Sequence, residues 1–194
     1  MATANNGELY LRALRATRKF VANIKPDQWR HDTPCTDWDL RTVLNHLVNE
    51  NRWAAELFGG NTIANVGHWF DGDLLGDDPL KAYDDSVAAA AGQVGKPGAM
   101  IMLCDLSRGP TPGHAYAGEL FLDALIHGWD IAKGSRQDAT LDPALVRVLY
   151  DMVVPQVAEL RASGMFGGDV PVAVNADTQT KLLALLGRRA SWPR

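Results

Sequence analysis

A chain of 194 residues, 46% hydrophobic and 22% charged, is long enough to bury a full core without staples, and this make-up excludes disorder and fibrous repeats. Its net charge of −4 comes with no basic cluster, which excludes a surface built to track a phosphate backbone. Two cysteines, Cys35 and Cys104, are too few and too distant for a zinc knuckle or a disulfide scaffold, and read as reduced thiols of a cytoplasmic protein.

Along the chain, apolar residues at Leu9, Tyr10, Ala13, Leu14, Phe20, Val21 and Ile24 recur at a helical period from about Gly7 to Ile24, and Lys25-Pro26-Asp27 ends the run. The same N-terminal stretch mixes charges into its apolar residues, unlike a signal peptide, and no segment has the length and apolarity of a membrane span. A second helix is expected with Thr36 as N-cap, Asp37 and Asp39 favouring its positive end, and Gly59-Gly60 closing it. Its core stripe reads Leu40, Val43, Leu44, Leu47, Ala54 and Phe58, and the adjoining stripe His46, Glu50, Trp53 and Leu57.

Residues 59–78 are rich in Gly, Asn and Asp and read as a long loop, with His68, Trp69 and Phe70 as candidates for a pocket lid. Asp78-Pro79 opens a third helix running to about Gln93. The run AMIMLC at 99–104 fits an isolated strand or a buried extended connection, and Arg108–Gly113 is a breaker before a long helix from about His114 to Lys133. Asp142-Pro143 caps a fifth helix reaching about Ala162. Gly164–Asn175 reads as a loop, and Asp177 opens a last short helix stopped at Gly187. Without an internal repeat or a low-complexity linker, residues 1–194 are expected to form one domain.

The chemistry-bearing pattern is two histidines set in apolar helices. Residues four apart share a helix face, so Asp123 and His127 point the same way and can hold one cation between them, with His46 as a third ligand from a neighbouring helix. Two imidazoles and one carboxylate make an open three-ligand site of a kind zinc accepts. The alternative is that these are satisfied core polar groups.

Three segments, TPCTDWDLRTVLNHLVNENRWAAELFGG, LFLDALIHGWDIAKGSRQ and MFGGDVPVAVNADTQTKLLALLGRR, resemble in sequence and order the DinB-like superfamily, in the branch related to mycothiol-dependent maleylpyruvate isomerase. That resemblance implies an all-α four-helix bundle with up-down-down-up connectivity, here with additional short helices and long loops. It implies a divalent metal, zinc first and nickel, iron or manganese as alternatives, with His46, Asp123 and His127 at the ligand positions; the isomerase has Glu where this chain has Asp123. It implies mycothiol or another small thiol as cosubstrate, directed at an electrophile in isomerisation or S-transfer. A water-using metal hydrolase and a non-catalytic, stress-associated metal-binding homodimer are the other readings.

Around this trio the residues leave alternatives open. Glu50, one turn beyond His46, is a general base or an exposed carboxylate. Asp130 orients an imidazole or pairs with Lys133. Trp53 and Trp129 line a cofactor pocket or simply pack, and Trp38 reads as core. Cys35, placed ahead of a helix N-terminus, is an activated thiol or a packed one. His31, His68 and His114 sit at loops or helix starts, facing solvent or joining the site.

Overall fold

A computed structural model of the chain describes residues 5–162, 164, 167–168 and 170–193. In chain order its elements are α1 (Asn6–Ala22), α2 (Leu40–Phe58), the short α3 (Ile63–Val66), α4 (Pro79–Val94), strands β1 (Leu103–Leu106) and β2 (Gly109–Pro112), α5 (Gly113–Gly134), α6 (Pro143–Val153), a 3₁₀ turn (Val154–Gln156), α7 (Val157–Ala162) and α8 (Thr178–Leu185). Among the described residues no helix is long and apolar enough to cross a membrane.

Cross-helix contacts fix the directions of the four long helices. Asn6 donates to the His114 carbonyl and Thr17 to the Ala124 carbonyl, so α1 and α5 run the same way. Leu40 lies against Gly134 whereas Phe58 stacks on Tyr116, so α2 runs against α5. Asn51 meets Ser86 and Gly59 lies beside Gln93, which makes α2 and α4 parallel. The result is the up-down-down-up bundle of the DinB-like fold, with α6 and α8 packed together at its side.

α1, α2 and α4 each bury one stripe, whereas α5 is buried on every side from Ala124 to Ala132. The expected α2 stripe, Leu40, Val43, Leu44, Leu47, Ala54 and Phe58, is buried throughout, against Leu14, Phe20 and Val21 of α1 and Leu120, Phe121 and Ala124 of α5 in one core. One chain of hydrogen-bonded polar groups crosses it from α1 through α2 to α4. The Tyr10 hydroxyl donates to Asn51 Oδ1, Asn51 Nδ2 donates to Ser86 Oγ, Ser86 Oγ donates to the Tyr83 carbonyl, and the Tyr83 hydroxyl donates to the Leu14 carbonyl. Three helices are thereby linked with these buried donors satisfied.

Several boundaries differ from the sequence reading, for local reasons. Asp39, not Thr36, caps α2, its carboxylate accepting from the Thr42 amide at 2.8 Å. Residues 59–78 are not wholly loop, since Thr62 caps the single turn α3. Of the run 99–104 only Leu103 and Cys104 are strand, residues 99–102 forming a turn, and β1 pairs with β2 in an antiparallel hairpin from Leu103 with Pro112 to Leu106 with Gly109. Pro155, which has no N–H to donate, ends the expected fifth helix at Val153, and the chain passes through a 3₁₀ turn into α7. α1 stops at Ala22 rather than Ile24, while the Asp78 and Asp177 caps stand where expected. The expected loop Gly164–Asn175 lies partly outside the described residues, at Met165, Phe166 and Asp169.

α1 and α5 approach closely because Gly128 leaves room for Thr17. A Cβ at Gly128 collides with the Thr17 hydroxyl that bonds the Ala124 carbonyl. Gly128→Ala is therefore expected to destabilise the protein by about 1–3 kcal/mol through overpacking. Thr17→Ala in the same chain should recover part of the loss, as read from paired thermal melts.

Candidate metal centre

The site forms where α2 and α5 run antiparallel. On α2 the stripe beside the core turns His46 and Glu50 toward α5. On α5, Asp123 and His127 meet on one face, as their four-residue spacing requires. His46 Nε2 lies 3.1 Å from Asp123 Oδ1 and 3.2 Å from Oδ2, and His127 Nε2 lies 3.4 Å from Oδ1. One ligand atom from each of the three residues falls within 4.8 Å of the others.

These separations suit a shared cation. Ligands about 2.0–2.2 Å from zinc stand roughly 2.8–3.1 Å apart along an edge when six positions are occupied and roughly 3.3–3.6 Å apart when four are, a combined range of about 2.8–3.6 Å. The two imidazole-to-carboxylate distances fall in that range. The ring of His127 is also turned the right way, because its Nδ1 faces Asp130 Oδ2 at 3.0 Å and leaves Nε2 toward Asp123. Donor set, spacing and orientation thus fit a divalent ion held by these three groups.

Without the cation, protons do its work. Burial acts against charge on both partners, yet facing imidazoles hold the Asp123 carboxyl well below the usual carboxylate range. Burial likewise pulls the His127 imidazolium down, but the charge of Asp123 and hydrogen bonds to Asp123 and Asp130 prevail and raise it to about 9. Burial pushes the Glu50 carboxyl up and Asp123 adds to the rise, against opposition from His46 and His127. Glu50 is therefore half-buried beside the trio with a proton affinity above that of an ordinary glutamate.

Trp38, read from sequence as core, is part of the site. Its ring is stacked on His127 at 5.7 Å between centroids and tilted against His46 at 5.0 Å. The turn before α2 puts it there. Thr33 Oγ1 donates to the Trp38 carbonyl and accepts from the Cys35 amide, the Trp38 amide donates to the Cys35 carbonyl, and Asp37 takes a left-handed φ of 69° that an aspartate tolerates. No periodicity signals such a position.

Asp130 does not pair with Lys133. Its Oδ2 also accepts from Arg188 Nη2 at 3.0 Å, while Lys133 donates to the Ala190 carbonyl and lies over the Trp129 ring. No helical period points to Arg188; its one signal in the sequence is an arginine directly after the Gly187 helix stop. Cys35, His127 and Asp130 form a second cluster of metal-ligand type, but the guanidinium of Arg188 already supplies positive charge there. Cys35 is not an activated thiol: burial and then the charge of Asp130 push it up, against partial opposition from Arg188.

The aromatic candidates separate. Trp129 is two residues from His127, roughly 200° around the helix, and is buried in the core away from the trio. Trp53 stays on the His46 stripe two turns further along, edge-on to Phe70 at 5.8 Å. Phe70 is thus a partner of Trp53, and Asn49 holds its carbonyl, while His68 and Trp69 are exposed beside it rather than closing over the trio. His31 and His114 face the Gly134 and Met100 carbonyls, so the structure brings neither to the trio.

The Asp123–His127 pair sets a pH dependence. Raised in the folded state, the His127 pKa contributes stability that is fully present below the unfolded value of about 6.5 and is lost as pH rises through about 9. Chelator-treated protein should therefore melt at progressively lower temperature from pH 6.5 to pH 9.5, and Asp123→Asn should flatten that slope.

Two relatives from Mycobacterium tuberculosis, uncharacterized protein MT0763 of strain CDC 1551 / Oshkosh and uncharacterized protein Rv0738 of strain ATCC 25618 / H37Rv, are each 30% identical to this chain over 186 residues, a span covering 91% of this chain and 94% of theirs. No solved structure matches. The family model described as the mycothiol maleylpyruvate isomerase N-terminal domain matches residues 10–132, which contain all three residues of the trio. With helix order, directions and matched span in agreement, the chain belongs to the mycothiol maleylpyruvate isomerase N-terminal domain family, within the DinB-like fold.

Proposed function

We propose that His46, Asp123 and His127 hold a divalent cation, zinc first, and that the protein is an enzyme directing a low-molecular-weight thiol, mycothiol or a close relative, at an electrophilic small molecule. The observation that carries this reading is the convergence of two imidazoles and one carboxylate at coordination-edge spacing. Membership of a family described by a mycothiol-dependent enzyme supports the thiol as cosubstrate.

When bound, the cation would act as a Lewis acid that favours thiolate over thiol. The chain's own groups do the rest. Asp130 keeps the His127 ring turned so that Nε2 faces the cation position. Trp38 walls one side of both imidazoles. Glu50 takes the thiol proton and returns it to the product, a role suited to a carboxyl whose proton affinity burial has raised. The product is a thioether when the thiol adds to the electrophile, or the isomer when the same thiol then leaves.

Cobalt-substituted protein mixed with cysteine, N-acetylcysteine or mycothiol should develop a sulfur-to-cobalt charge-transfer band. Absence of that band with all three thiols, together with measurable ester or amide hydrolysis, would overturn the thiol reading in favour of activated water. His127→Ala should purify without stoichiometric metal while keeping its helical circular dichroism. Glu50→Gln should keep its metal and lose at least about 10²-fold in turnover.

Because His127 carries a proton at neutral pH, metal uptake must release it. Zinc affinity is expected to rise by about tenfold per pH unit from 7 toward 9 and then level off, as measured by chelator competition.

A further inference from the structure

The segment after α8 reaches the candidate metal centre through one side chain. At Gly187 the backbone has a φ of +76°, and a Cβ there would run into the backbone of Gly167. This turn directs Arg188 inward. Its amide donates to the Leu183 carbonyl at 2.8 Å and its Nη1 to the Leu186 carbonyl at 3.0 Å. Nη2 then meets Asp130 Oδ2 at 3.0 Å, the same oxygen that faces His127 Nδ1 at 3.0 Å.

The contact is one-pronged. Asp130 has no exposed surface, yet its Oδ1 makes no hydrogen bond among the described residues, nor does Arg188 Nε. A buried arginine–carboxylate pair optimised as an anchor would be two-pronged and fully satisfied. Here a single oxygen is shared between guanidinium and imidazole, with the fork of the arginine tied by its other nitrogen to the turn that carries it. The contact transmits position from the C-terminal segment to one ring.

We propose that Arg188 is a positioning residue for the metal centre: by holding Asp130 Oδ2 on Nδ1 of His127 it presents Nε2 to the cation, so that ligation depends on seating of the segment 186–190. The cation in this statement rests on the function proposed above; the restraint on the His127 ring does not. Arg188 lies beyond the residues that the family model matches, whereas His127 and Asp130 lie within them.

The test compares wild type, Arg188→Met, Arg188→Lys, Asp130→Asn and the double variant Arg188→Met/Asp130→Asn, with zinc affinity measured by chelator competition. Arg188→Met and Asp130→Asn are each expected to weaken zinc binding by roughly 10–100-fold, with the double variant no weaker than the worse single variant and Arg188→Lys partly restored. Wild-type affinity in folded Arg188→Met, or losses that multiply in the double variant, would overturn the proposal. Should Arg188→Met fail to fold, the double variant leaves no unpaired buried charge and serves in its place, wild-type affinity there being equally fatal. A second readout needs no metal. In chelator-treated wild type the His127 Nδ1–H should give a downfield, slowly exchanging proton resonance, lost in Arg188→Met or the double variant; its persistence unchanged in either would also sink the idea. If wild type takes up no zinc at all, the functional reading fails, and the Nδ1–H resonance still decides the role of Arg188.

Discussion

One carboxylate, Asp123, faces two imidazoles across the seam between α2 and α5. Everything of chemical interest follows from that placement. The negative charge is half-buried among groups that cannot all stay neutral, so the site must be compensated, by a proton on His127 or by a cation that replaces it. The same charge raises the proton affinity of Glu50, and the core packing of α2 and α5 holds the three residues of the trio at fixed spacing.

Much of this was legible in the sequence because it lies on helices. The period of α2 assigned Leu40, Val43, Leu44 and Leu47 to the core and thereby placed His46 and Glu50 on the flank. A four-residue spacing placed Asp123 with His127. What remained hidden arrives from non-periodic chain. Trp38 comes from a turn organised by the Thr33 hydroxyl, and Arg188 from a reversal at Gly187, and both positions depend on hydrogen bonds to backbone atoms that no spacing rule reports. The hairpin at 103–112 escaped for a related reason: half of it is Gly-Pro-Thr-Pro, residues that read as a break in any periodic pattern.

The trio and the groups that contact it also differ in origin. His46, Asp123 and His127 come from the bundle, within the part of the chain that the family model matches. Arg188 comes from the segment after α8, whose position relies on the packing of α6 against α8 and on the Gly187–Gly167 approach. The bundle supplies the donor atoms, and later chain adjusts the aim of one of them.

The buried chain from Tyr10 through Asn51 and Ser86 to Tyr83 has a bearing on this aim, although it is remote in kind from any ligand. Asn51 stands five residues after His46 on the same helix. Sliding α2 by a turn would strand its amide in hydrocarbon, at about 1–3 kcal/mol for each group left bare. Apolar side chains alone tolerate such slippage, since one methyl-lined groove resembles the next. The amide therefore acts as a detent on the axial travel of α2, and the ångström-scale gap between His46 and Asp123 is gauged from the far side of the helix.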